Sequence, residues 1–209
     1  MAAPDVAVVV ATHRRPGFLA ELVSALEAQD LGVDRFEVVV VDDASGDATA
    51  EVLEDLRRST TLTLEVLHQE RNRGPAAARH AGIARTCAPL VAFTDDDCLP
   101  APGWLSALVA AFADPGVDVV QGRTEARAAD RGGQGPWDHT LWVTGPTPWF
   151  ETCNVAYRRS AYDRVGGFDL DDPVLNPGGG SHFGEDVDLG ARVLAAGGRR
   201  AFAQDAVVE

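Results

Sequence analysis

The chain has 209 residues, 45% of them hydrophobic and 24% charged, which is enough for a packed core and argues against disorder throughout. Thirty-two acidic against 18 basic residues give a net charge of −14, which excludes a general binder of nucleic acid or anionic membrane because phosphates would be repelled. Three cysteines without CxxC spacing support neither a disulfide framework nor a zinc ribbon, and no apolar run nears the ~20 residues of a membrane span or follows the basic region of a secretory signal.

Val6–Ala11 is a continuous apolar run rich in valine. Without polar alternation it is predicted to be a strand covered on both faces, as in a parallel sheet. Pro16 and Gly17 open a helical stretch with Phe18, Leu19, Leu22, Val23 and Leu26 spaced for one face. Val38–Val41 repeats the buried-strand pattern and ends in Asp42 and Asp43. Ala48–Leu56 reads as a helix, Leu62–Leu67 as a strand and Pro75–Arg85 as an Ala-rich helix with proline at its start. Leu90–Phe93 is a short strand, Trp104–Phe112 a helix and Val117–Val120 a strand. The order predicts an α/β fold with a central, mostly parallel sheet flanked by helices. Such sheets place ligands at the carboxyl ends of their strands.

The second half is less regular. Arg123–Pro148, rich in Gly, Pro and Trp, is predicted to be a long loop. Thr152–Tyr157 reads as a strand and Ser160–Val165 as a short helix ended by Gly166 and Gly167. Asp171–Gly184 is a second Pro/Gly-rich loop. Glu185–Ala196 is helical, ended by Gly197 and Gly198, and Ala201–Val208 is a strand.

Four groups of residues could carry chemistry. Asp95, Asp96 and Asp97 directly follow a buried strand, where each carboxylate raises its neighbours' pKa. A hard divalent cation would relieve that repulsion, and a solvated acidic turn before Pro100 is the alternative. An EF-hand is excluded, since its loop needs glycine where Pro100 stands. Asp42 and Asp43 can accept hydrogen bonds from a ribose or a base, while Ser45 or Asp47 is placed to cap the next helix. Glu185 and Asp186 open a helix after a glycine-rich loop. They suit a general base, and they equally suit compensation of the helix dipole, which would keep them ionised. Arg71, Arg73 and Arg79 either neutralise a bound anion or lie on a solvated face.

Taken in order, these pieces resemble the family-2 glycosyltransferases, which have the GT-A fold. The resemblance rests on Val8–Arg15, Val39–Asp47, Asn72–Gly82, Phe93–Pro100 with Gly103-Trp104-Leu105, Val165–Asp169 and Gly184–Leu189, and it covers nearly the whole chain. It implies a single GT-A domain over residues 1–209, with a Rossmann-like nucleotide-sugar half (1–122) and an acceptor-binding, catalytic half (123–209). It implies an inverting transfer from a nucleotide-diphosphate sugar to a hydroxyl of a carbohydrate, lipid-linked or small-molecule acceptor, assisted by Mn²⁺ or Mg²⁺. Thr12, Asp42, Asp43, Arg73, Arg79, Asp95 and Asp96 would serve the donor. Asp97 with Asp95 would hold the metal, and Asp186, with Glu185 beside it, would deprotonate the acceptor. Ala11, His13 and His80 depart from the commoner Pro, Tyr and Asn and touch base specificity. Family members often carry a metal-ligating His shortly after the last strand. Here Ala206-Val207-Val208 runs into Glu209, so the chain is expected to be a short form or a piece of a longer protein. A cytoplasmic location is expected, peripheral to the inner membrane face at most. Two other readings are a non-catalytic nucleotide-sugar binder of the same fold and an interaction domain with an acidic surface.

Overall fold

The computed structural model describes residues 3–127, 141–170 and 184–209. The loop expected at 171–184 therefore lies outside the described residues except for Gly184, as do Trp137 and His182.

The strands are β1 (Val6–Thr12), β2 (Phe36–Asp42), β3 (Leu64–His68), β4 (Leu90–Phe93), β5 (Val117–Thr124), β6 (Val155–Arg158) and β7 (Arg199–Val208). The helices are α1 (Pro16–Glu27), α2 (Thr49–Ser59), α3 (Pro75–Ile83), α4 (Trp104–Ala111), α5 (Arg159–Arg164) and α6 (Glu185–Ala195). One sheet takes the order β3-β2-β1-β4-β6-β5-β7. The pairs β1–β2, β2–β3, β1–β4 and β5–β7 are parallel, and β6 runs antiparallel to both β4 and β5.

Alternation of side chains across the sheet explains the unbroken valine runs. Val8 and Val10 of β1 join Leu19, Leu22, Leu26, Trp104 and Leu105 in a core on one face. Val9 joins Val39, Val41, Ala78, Phe93, Tyr157 and Leu189 on the other. Both faces are covered, so both sets must be apolar. Helix α3 lies close to the sheet because Ala76, Ala78 and Gly82, with only Ile83 larger among its apolar residues, face it. A Cβ at Gly82 would stand 2.7 Å from Val9 Cγ1 and 3.1 Å from Val41 Cγ2. The Ala-rich composition of this helix is thus a packing requirement.

The second half departs from its expected bounds at β5 and β6 and at β7, which opens at Arg199 instead of Ala201. Arg123 and Thr124 continue β5 instead of opening a loop, and Thr124 pairs with Val143 through backbone hydrogen bonds of 3.0 and 2.9 Å. The strand expected at Thr152 starts at Val155. Asn154 just before it is buried and donates to Arg123 O (2.9 Å) and Ala206 O (3.0 Å), while it accepts from Trp104 Nε1 at 2.8 Å. One amide thereby ties β5, β7 and α4 together, and its partners lie too far apart in sequence to be foreseen.

Candidate active site

The chain order places β2 and β3 on one side of β1 and β4 on the other. The crevice between the carboxyl ends of β1 and β4 is the position where such sheets bind ligands. It holds a cleft of about 430 Å³ lined by Ala11, Thr12, His13, Arg15, Asp43, Asn72, Gly74, Pro75, Arg79 and Asp95–Asp97.

Each wall has a local cause. Beyond β2, the Asp43 carboxylate accepts the backbone N–H groups of Arg73 (2.9 Å) and Gly74 (2.7 Å) at the entry to α3. Gly74 has φ 83, a left-handed value that glycine adopts without strain. Asp42 faces away from the cleft. Its carboxylate accepts the Ser45 N–H at 3.0 Å and the Ser45 hydroxyl, and it pairs with His68 Nδ1 at 3.0 Å. Ser45 also accepts the Arg14 N–H at 2.9 Å, so Asp42 organises the loops after β1 and β2. Asp47, one residue ahead of the α2 cap position, accepts the Thr49 N–H at 2.9 Å. Arg14, Ala44 and Phe150 are the non-glycine residues at positive φ among the described residues, at 57, 58 and 52 degrees. Two of them come just after the strands that wall this cleft, where strained backbone is concentrated in functional loops.

The three consecutive aspartates separate. The chain turns after Phe93, and Asp96 points inward, 4% exposed. It accepts the Thr12 hydroxyl at 2.6 Å and pairs with Arg15 at 3.2 Å. Burial nonetheless raises its pKa above the usual carboxylate value. Asp95 and Asp97 stay partly exposed, and one oxygen of each lies with Cys98 Sγ in a group spanning no more than 4.8 Å. Arg15 also bridges to Asp97. The sequence placed Arg15 in a motif without a role, and its pairing with Asp96 and Asp97 spans more than 80 residues. The Cys98 thiol is pushed up to about 12 by burial and by the two carboxylates, so it is a neutral thiol at pH 7.

Arg79 on α3 is 5% exposed and spans two parts of the site. Its Nη2 donates to Asp95 at 2.6 Å, and its Nη1 lies 3.5 Å from Glu185 Oε1. Its Nε and Nη1 have no hydrogen-bond partner among the described residues. Arg73, in contrast, turns its exposed side chain to a separate shallow recess with Gln69, Glu70 and Arg71.

Glu185 and Asp186 occupy the first turn of α6, as the sequence indicated. Glu185 is buried, and Asp186 Oδ1 accepts the Val187 N–H at 2.8 Å. Burial raises both pKa values, so desolvation outweighs the helix dipole that was expected to favour the charged forms. A raised carboxylate is the stronger base. The end of β7 returns beside the aspartate turn. Leu99 and Glu209 exchange backbone hydrogen bonds of 2.6 and 3.0 Å, and Glu209 lines a second cleft of about 350 Å³ with Asp95, Asp97 and Cys98. Glu209, the residue after β7, therefore lies beside the aspartates.

Residues 7–170 match the description of Glycosyl transferase family 2. The pre-mycofactocin glycosyltransferase of Mycobacterium tuberculosis is 32% identical over 98% of this chain and 42% of its own length. The validoxylamine A glucosyltransferase of Streptomyces hygroscopicus subsp. jinggangensis is 29% identical over 93% of this chain and 52% of its own. Among solved structures, the mannosyltransferase PcManGT from Pyrobaculum calidifontis, in complex with GDP-Man and Mn²⁺, superposes with a TM-score of 0.78 at 27% identity, over 100% of this chain and 57% of that one. This chain spans about half the length of these relatives. The fold is the GT-A type, and the chain belongs to glycosyl transferase family 2.

Proposed function

We propose that the chain transfers a sugar from a nucleoside-diphosphate donor to an acceptor hydroxyl in one inverting displacement. The observation that carries this is Arg79, a buried guanidinium whose Nε and Nη1 make no hydrogen bond among the described residues, in a cleft it shares with Arg15 and the carboxylates of Asp43 and Asp95–Asp97. A chain of net charge −14 that holds a cation there is suited to an anionic ligand.

In this reading residues 1–122 form the donor half. Thr12 and Asp43 bound the nucleotide pocket. Asp43 keeps free lone pairs for a base N–H after accepting two backbone groups. Asp95 accepts from the ribose, and Asp96 positions Thr12. Asp42 acts through Ser45 on the loops, and Arg73 contributes its backbone N–H to Asp43. Asp97 and Asp95 are hard oxygen donors whose spacing fits a divalent cation, and the neutral Cys98 thiol beside them is the weaker ligand. PcManGT was solved with Mn²⁺. A bound Mn²⁺ or Mg²⁺ supplies positive charge to the donor diphosphate.

Residues 123–209 supply the acceptor side. Asp186 takes the proton of the acceptor hydroxyl as its oxygen bonds the anomeric carbon and the bond from that carbon to the diphosphate oxygen breaks. Arg79 stabilises charge growing on the leaving diphosphate. Glu185, near the same guanidinium, holds Arg79 in place. Free Cys87, Cys98 and Cys153 support work in the reducing cytoplasm, and among the described residues no helix is long and apolar enough to cross a membrane.

Thermal unfolding with UDP, GDP or dTDP, each with and without Mn²⁺, tests the reading. Saturation a hundredfold above the dissociation constant adds about 2.7 kcal/mol. One nucleotide should shift the midpoint far more than the others, and more with Mn²⁺. No shift with any of them overturns the proposal.

A further inference from the structure

The segment from Thr144 to Glu151, between β5 and β6, lies outside the donor machinery. Phe150 within it has φ 52, a value a bulky residue takes only under constraint. The constraint is its ring, 1% exposed and packed over Gly190, where any Cβ would collide with it. Gly190 stands one helical turn beyond Asp186 on α6. The buried ring therefore docks the segment against the helix face that carries Asp186. Glu151 comes directly after Phe150, close enough that its charge acts on Asp186.

The residues around Phe150 form a hydrogen-bond chain that ends in unused acceptors. Gln121 of β5, 1% exposed, donates from Nε2 to Thr147 Oγ1 at 2.9 Å and reaches Glu151 Oε2 at 3.5 Å. Thr147 accepts the Trp149 N–H at 3.2 Å and donates its hydroxyl to Glu151 at 3.0 Å. The Gln121 Oε1 atom has no partner among the described residues. A carboxylate offers about four lone-pair positions, and the chain uses only part of those on Glu151. In the free protein water meets the open acceptors of the half-exposed Glu151, and a ligand that displaces this water must bring hydrogen donors of its own. Hydroxyl groups supply them, and a hydrocarbon chain does not. Trp149 presents the complementary surface, 58% exposed on the same segment.

We propose that Trp149 and Glu151 form an acceptor subsite for a pyranose-like ring, with Trp149 against the ring face and Glu151, held by Gln121 and Thr147, accepting from its hydroxyls beside Asp186. The subsite rests on the transferase reading above for its role, and it selects a carbohydrate-like polyol among the possible acceptors. Glu151 is a positioning residue for the acceptor, and Asp186 remains the base.

The test is saturation-transfer NMR titration of methyl β-glucoside, methyl α-mannoside and methyl N-acetyl-β-glucosaminide. The full chain is used with Mn²⁺ and the nucleotide that gave the largest thermal shift, or with Mn²⁺ alone if none shifts. At least one glycoside should bind the wild type. Its dissociation constant should rise by about tenfold or more in Glu151→Gln and in Trp149→Ala, the loss expected of one charge-assisted hydrogen bond or one stacking face. Trp149→Phe should recover most of the binding, and thermal unfolding of all three variants should match the wild type. No binding of any glycoside to the wild type, or equal binding by the variants, overturns the subsite. Glycoside binding that depends on Glu151 in a chain no nucleotide stabilises would sustain the subsite and overturn the donor reading instead.

Discussion

The carboxylates of Asp42 and Asp43 and those of Asp95 and Asp97 lie just beyond buried parallel strands on opposite sides of β1, and the protein uses them differently. Those of the first pair are 4% and 3% exposed and occupied by Ser45, His68 and the backbone of Arg73 and Gly74. Those of the second pair are partly exposed, and each meets a guanidinium at the rim of the cleft, Arg79 for Asp95 and Arg15 for Asp97. The path of the chain after each strand makes the difference. After β2, Asp43 meets backbone N–H groups freed at the start of α3, and these hold each of its two oxygens in place. After β4, the chain turns at once, burying Asp96 and directing its neighbours to the cleft. An acid run at a strand end is thus held by backbone N–H groups or left with guanidinium partners according to what the next loop brings to it.

Four measurements can break or sharpen that contrast. Asp97→Ala should reduce metal-dependent transfer below detection while stability changes by no more than about 1 kcal/mol, since it removes an exposed ion pair with Arg15 and a long contact from the Cys98 thiol. Wild-type turnover by this variant would remove Asp97 from the metal site. Asp186→Asn should keep the nucleotide-induced thermal shift and lose ~10²–10⁴ in rate, because an amide cannot take the acceptor proton. A loss of donor affinity at unchanged rate would assign it a binding role. Asp43→Ala should act in the opposite sense to Asp97→Ala and destabilise the fold by about 1–3 kcal/mol for each stranded N–H, read by urea denaturation. Equal stability of the two variants would erase the distinction drawn above.

The smallest effect concerns pH. Burial raises the Asp186 pKa in the folded protein. A carboxyl held above its unfolded value keeps its proton longer in the folded state, so stability falls as pH rises from the ordinary carboxylate range to the raised pKa. The deficit is complete above that window and vanishes below it. Asp186→Asn keeps the acceptor for the Val187 N–H, so it should be more stable than the wild type at neutral pH, with the gap closing as pH falls. A gap independent of pH across the acid and neutral range would show that desolvation of Asp186 does not govern it.

Periodicity and proximity along the chain decided much of this protein. The valine runs of β1 and β2, the short β4 and the proline at the start of α3 stand where the sequence put them, because two-sided burial and helix entry leave local signatures. The family motifs likewise placed Asp95, Asp97, Glu185 and Asp186 at element ends. Tertiary structure decided which of the acids line the cleft. Asp42 and Asp43 look alike in sequence, yet one serves the loops and the other walls the cleft. Arg79, Arg15, Asn154 and Gln121 acquire their positions from hydrogen-bond partners 16 to 82 residues away. Hydrogen bonds over such separations leave no period and no spacing, because the chain between their ends is folded around the core and its length does not determine where the ends meet.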